Sequence, residues 1–168
     1  MSVRRLPEGG HIDRTRPISF RFDGREHLGF EGDTLASALL ANDVGIVGRS
    51  LKRRRPRGLL SLGMEEPNAV LNLTVGGVGA PNRMASEVWL RPGLDASPTR
   101  GWPSARFDFG RLLDPLAAPF AAGFYYKTFM GPGAFGGRDG WNRLWEPLIR
   151  RLAGQGGAPA TADPDRYE

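Results

Sequence analysis

The sequence predicts an α+β fold of the β-grasp type: a small mixed sheet with one packed helix, followed by an extended aromatic arm and a C-terminal helix. Three observations carry the β-grasp core. Ile18, Phe20 and Phe22 alternate with Ser19, Arg21 and Asp23, the period-two pattern of a half-buried strand, and Asp23-Gly24 supplies a hairpin turn. An Ala/Leu-rich run from Thr34 to Asn42 then places Leu35 and Leu39 one helical turn apart, with Ala36 and Leu40 beside them. Val70 to Val75 returns to alternation, with Leu71, Leu73 and Val75 on one face.

The remaining elements follow in order. Residues 1–16 read as a flexible, polar and basic arm. Leu28 and Phe30 continue the hairpin on its second strand. Asp33 is the expected N-cap, because its carboxylate can accept the free N–H groups of the first helical turn, and Gly45 is the expected stop. Ile46-Val47 reads as a brief strand, Gly76-Gly77 ends the strand at Val75, and Val88 to Leu90 reads as the last strand. This bounds the β-grasp domain at 17–91.

From 92 to 153 prolines punctuate an aromatic-rich arm that includes Trp102, Phe107, Phe109, Phe120, Phe124 and Phe129. Within that span Trp141, Leu144, Trp145, Leu148, Ile149 and Leu152 define a C-terminal helical face, with Pro147 expected to kink it. Residues 154–168 read as a linker of Gly, Ala, Pro and Asp leading to a missing domain.

The net charge of +5 belongs to one loop. Arg49, Lys52, Arg53, Arg54, Arg55 and Arg57 are six positive residues within nine; without them 17 basic residues face 18 acidic ones. A uniformly basic, histone-like protein is thereby excluded. The absence of Cys excludes disulfides, thiolate catalysis and cysteine-ligated zinc or iron–sulfur clusters. No apolar run approaches the ~20 residues of a membrane span, and residues 1–16 lack the apolar stretch of a secretory signal, so the expected compartment is the cytoplasm and no membrane partner is expected.

Chemistry-bearing motifs are few. Gly131-Pro-Gly-Ala-Phe-Gly136 matches a dinucleotide-binding string, but no second strand follows to complete the βαβ unit, and Pro132 lacks an N–H that the phosphate would need. His11 and His27 have no partner at ligand spacing, and Ser37 and Ser61 have no evident base, so no metal site or nucleophilic triad is assigned. Glu65-Glu66 reads as a solvated turn. The Arg-rich loop 49–57 has two functional readings. It docks beside an anionic group at an interface, or it contacts phosphates as a free-standing nucleic-acid-binding module; it lacks the interleaved aromatics of the latter.

Longer motifs carry a resemblance. The hairpin from Ile18, Gly32 to Asn42, Val47-Gly-Arg-Ser50, Arg55-Pro-Arg-Gly58, Glu65-Glu-Pro-Asn68, Phe124-Tyr-Tyr-Lys-Thr-Phe129 and Trp145 to Arg151 together resemble the N-terminal domain of the alpha subunit of heterotetrameric sarcosine oxidases. The resemblance implies a ferredoxin-like β-grasp domain preceding a dinucleotide-binding domain. It further implies oxidative demethylation of sarcosine to glycine in a complex with beta, gamma and delta subunits, using FAD, FMN, NAD and tetrahydrofolate. Amine oxidation then belongs to the beta subunit, and this chain contributes no catalytic residue.

Related amine and opine dehydrogenases and hydrogen cyanide synthase hold a [2Fe–2S] cluster in the equivalent domain, through C-x₄-C-x₂-C plus a distal cysteine. Aligned on Arg55-Pro-Arg-Gly58, those positions are Ser61, Glu66, Ala69 and Ser86, and none supplies a thiolate. The expectation is a ferredoxin fold without its cluster. Lys52, Arg53, Arg55 and Arg57 are the expected contacts with an anionic group or interface; Arg53 and Arg54 stand where the family commonly has an aromatic and a His.

Overall fold

A computed structural model describes residues 4–51 and 53–112, and beyond them Arg143, Glu146, Pro147, Arg150, Gly154 and 157–159. The elements are β1 (Asp13–Phe22), β2 (Arg25–Glu31), α1 (Leu35–Ala41), β3 (Gly48–Arg49), β4 (Pro56–Arg57), β5 (Val70–Val75), β6 (Val78–Met84) and β7 (Leu94–Pro98). Five strands form one mixed sheet in the order β2-β1-β7-β5-β6, and β3-β4 form a separate ladder. β1 and β7 run parallel at the centre, while the β1–β2, β5–β7 and β5–β6 pairs are antiparallel. This is the expected β-grasp: the hairpin needs only a tight turn, whereas the parallel pair needs the long crossover that contains α1.

Both hairpins close through residues in the left-handed region. Asp23 and Gly24 have φ of 50° and 78°, and Gly76 and Gly77 have φ of 57° and 84°. Two positive φ angles in a two-residue loop match the twist of the flanking strands. On one face of the sheet, Phe20, Phe22, Leu71, Leu73, Leu94 and Ala96 pack with Leu35, Ala38 and Leu39 of α1.

The helix ends differ from expectation. Thr34, not Asp33, is the N-cap, and its hydroxyl accepts the Ser37 N–H. The C-terminus stops before Gly45, with Asp43 at φ 57°. Asp43 N–H donates to Leu40 O and Val44 N–H to Leu39 O, the paired bonds of a Schellman closure. A short polar side chain tolerates the left-handed conformation well enough to replace glycine here.

Four strand expectations are corrected. β1 begins at Asp13, inside the segment read as an arm. On β2 the inward residue is Gly29, while Leu28 is 53% exposed, because the core surface there is completed by Leu90 and Ala38 approaching the bare glycine. The brief strand after α1 is Gly48–Arg49 rather than Ile46-Val47. Val88 to Leu90 is not a strand; Trp89 makes a single bridge to Thr34, and the last strand of the sheet is β7, beyond the expected boundary at 91. Alternation is weak in β7, whose Leu94 and Ala96 are its only core residues, so it was hidden among the prolines of the aromatic stretch.

The start of that stretch is folded back on itself. Phe109 N–H donates to Trp102 O, and Trp102, Phe107 and Phe109 contact one another ring to ring at 5.0–5.5 Å while remaining exposed. Phe120, Phe124 and Phe129 lie outside the described residues, as do Trp141, Leu144, Trp145, Leu148, Ile149 and Leu152. Arg143, Glu146, Pro147 and Arg150 are helical.

Candidate functional site

The loop between β4 and β5 carries three of the four positions aligned with cluster cysteines. Glu66 is not in a solvated turn. It is 2% exposed, and its carboxylate gathers the loop's backbone: Oε2 accepts Leu60 N–H at 2.7 Å and Ser61 N–H at 2.6 Å, and Oε1 accepts Asn68 N–H at 2.8 Å. Burying a carboxylate is costly unless such bonds replace its hydration. The Ser61 hydroxyl donates instead to Glu65, which lowers the Glu65 carboxyl below its usual range. Ala69 is buried, and its carbonyl accepts the N–H of Ala85, bringing Ser86 to the same end of the sheet. The Ser86 hydroxyl is buried without a hydrogen-bond partner.

These residues do not fit a [2Fe–2S] cluster. Its iron atoms require thiolates or, in one variant, imidazoles. The four positions offer two hydroxyls, a methyl group and a carboxylate already committed to three N–H groups. Among the described residues there is also no group of three His, Cys, Asp or Glu able to hold a metal.

The basic loop lies on the neighbouring β3–β4 ladder and is split in its roles. Arg49 is 8% exposed and structural: Nε donates to Ala105 O at 2.6 Å, Nη2 to Arg106 O at 2.8 Å and Nη1 to Arg54 O at 3.0 Å. Arg54 turns toward Asp108, 3.7 Å away. Asp23 Oδ2 accepts Ala105 N–H at 2.9 Å, so the first hairpin and Arg49 hold the same turn of the aromatic segment. Arg53, Arg55 and Arg57 are exposed, and Lys52 lies outside the described residues.

Of the four expected contacts, Arg57 alone lines an open cleft of about 400 Å³. Arg49 and Arg100 line it too, with Ser50, Asn68 and Thr99. Burial, and secondarily the charge of Arg54, lowers the Arg100 pKa. Arg100 was missed in the sequence because it stands outside the charge run, 43 residues after Arg57; no local pattern announces that β7 returns it to the loop.

A ferredoxin-like β-grasp lacking cluster ligands is thus the class that fold and site define. Residues 15–101, more than half the chain, match the family model for the 2Fe-2S iron-sulfur cluster binding domain, and the chain belongs to that family. It is 52% identical over all 168 residues to sarcosine oxidase subunit alpha of Rhizobium meliloti (strain 1021), covering 16% of that protein. It is 35% identical over 111 residues, 66% of this chain and 11% of the relative, to sarcosine oxidase subunit alpha of Corynebacterium sp. (strain U-96). The chain therefore spans a minor part of the length of these relatives. Among solved structures, the L-proline dehydrogenase from P. horikoshii aligns with a TM-score of 0.40 and 25% identity, over 55% of this chain and 17% of that one. Nothing in these relatives supports the nucleic-acid reading of the Arg-rich loop. No helix among the described residues is long and apolar enough to cross a membrane.

Proposed function

We propose that this chain is the non-catalytic N-terminal domain of a sarcosine oxidase alpha subunit. It supports the oxidative demethylation of sarcosine to glycine in a cytoplasmic complex containing FAD, FMN, NAD and tetrahydrofolate. The observation that carries this reading is the 52% identity to a sarcosine oxidase alpha subunit along the whole chain. The domain's work is scaffolding. It packs against the alpha subunit's dinucleotide-binding domain, reached through the linker at 154–168, and against the beta, gamma and delta subunits.

Lys52, Arg53, Arg55 and Arg57 form the contact surface in this proposal. Three of them are exposed and carry no printed ion pair that would neutralise them, and Leu51, Leu60, Leu62 and Met64 are exposed around them. Arginine and methionine beside apolar side chains are enriched at protein interfaces over ordinary surface. Changing the four basic residues to Ala in the alpha subunit should reduce co-purification with the other subunits and lower the flavin content of the assembly. Unchanged assembly with full flavin content would refute the assignment of this surface.

A further inference from the structure

The cleft between the β3–β4 ladder and the end of β7 has a more specific chemistry than a basic surface. Three guanidinium groups, from Arg49, Arg57 and Arg100, converge on its about 400 Å³, and no acidic residue is among those lining it. The nearest carboxylates are engaged elsewhere: Glu66 accepts three backbone N–H groups and Asp108 faces Arg54. The Ser50 hydroxyl accepts Arg55 N–H at 2.9 Å, which leaves its proton to donate. One wall is therefore cationic and rich in donors. The opposite lip is apolar and open, with Leu51 52% and Leu60 76% exposed.

The floor is also fixed in advance. Arg49 is held by three carbonyls, and Arg100 Nη1 reaches Arg49 O at 3.4 Å. Burial of Arg100 close to Arg54 keeps like charges together at a cost that an anion in the cleft would relieve. A single carboxylate would balance one of three positive charges. A phosphate monoester carries close to two negative charges and three oxygens suited to guanidinium forks and hydroxyls.

We propose that this cleft is a binding site for a phosphate monoester, with the phosphate on the arginine wall and the apolar part of the molecule on Leu51 and Leu60. The proposal deepens the interface reading and rests on it for the setting in which the ligand is met. The same phosphate chemistry could come from free inorganic phosphate, and the test separates the two sources.

The 168-residue chain is titrated with phenyl phosphate, inorganic phosphate, phenol and a glutamate-rich peptide, with sodium chloride at matched ionic strength, while backbone amide NMR shifts are followed. Phenyl phosphate should give saturable shifts at Ser50, Arg57, Asn68 and Thr99, with weaker binding of inorganic phosphate and none of phenol. Arg57→Ala should weaken phenyl phosphate binding about tenfold, the loss of one charge-assisted bond, and Arg57→Lys should weaken it less. Arg100→Gln should weaken it as well, with a thermal melt run alongside to verify folding. Equal affinity for phenyl phosphate and inorganic phosphate would overturn the ester in favour of the free ion. Shifts reproduced by sodium chloride, or saturation by the peptide alone, would overturn the site altogether. Phosphate binding with assembly unaffected by the loop substitutions keeps the cleft and removes the interface reading; loss of assembly without phosphate binding does the reverse.

Discussion

Glu66 binds the backbone N–H of Ser61 at 2.6 Å, so two positions that align with cluster ligands are here bonded to each other. With Leu60 and Asn68 N–H on the same carboxylate, a buried anion closes the loop that a metal cluster closes in cluster-bearing relatives. Glu66→Gln keeps the shape but replaces one acceptor oxygen with a donor, which then faces a backbone N–H. The expected loss of stability is about 2–3 kcal/mol, measured by urea unfolding. Anaerobic treatment of the natural chain with iron and sulfide should leave its visible spectrum blank, since no thiolate is present to assemble a cluster.

Arg49 makes the same kind of closure on the other side of the cleft, through the carbonyls of Ala105, Arg106 and Arg54. Lysine has the charge but not the planar fork, so it cannot span three acceptors in these directions. Arg49→Lys should destabilise the chain by about 2 kcal/mol. Amide exchange should quicken at residues 105–109, whereas the helix amides of Ala38 and Asn42 should stay protected until global unfolding.

How much of this was legible in the sequence depends on the range of the forces involved. The hairpin at Asp23-Gly24 and the face made by Leu71 and Leu73 are set by neighbours a few residues apart, and both appear as read. The cluster-less cradle was legible in its composition, since zero Cys cannot be misread, but not in its chemistry. Glu65 and Glu66 are identical neighbours in the sequence; one is exposed and the other is the buried hub of a loop, because only one side of the turn faces three unpaired N–H groups. Asp33 was singled out as a cap and is instead buried at 0% exposure, accepting from Phe30 N–H, the Ser37 hydroxyl and Arg5. Its ion-pair partner lies 28 residues upstream, in a segment read as an arm, and no periodicity marks such a pair.

That pair gives a sharp stability test. Arg5 donates to both Asp33 oxygens, at 3.0 and 2.7 Å, and lies over the Phe30 ring at 5.2 Å. Arg5→Ala would leave a fully buried carboxylate with only Phe30 N–H and the Ser37 hydroxyl. A loss of about 3 kcal/mol is expected, as for other buried pairs broken from one side. A double-mutant cycle with Asp33→Asn should show strong coupling; additive effects would mean that the ion pair itself contributes little.

His27 predicts a pH dependence. Its ring lies 5.6 Å from that of Phe20, and desolvation, followed by the charge of Arg25, lowers its pKa below the ordinary 6.5, against an opposing contribution from Asn42. A lowered folded-state pKa means that the unfolded chain takes up the proton first. The contribution is neutral above pH 6.5 and becomes destabilising as pH falls through 6.5 toward the folded value. Stability measured at intervals from pH 8 to about 5 should therefore decline in that window, and His27→Gln should flatten the decline.

Gly29 offers the last test, because it records how closely the helix side of the core approaches β2. A Cβ built there would collide with Leu90 Cδ1 and stand 3.3 Å from both Ala38 Cβ and Asp33 Oδ2. Leu90 is itself buried, and its N–H is tied to Asp33 O at 2.9 Å, so the leucine cannot simply swing into solvent. Gly29→Ala should cost about 1–3 kcal/mol through overpacking, despite the better strand propensity of a residue with a side chain. Pairing it with Leu90→Ala removes the obstructing methyl groups. If overpacking is the cause, the double variant should be more stable than the sum of the two single losses, whereas strict additivity in urea unfolding would show that the glycine serves backbone conformation instead.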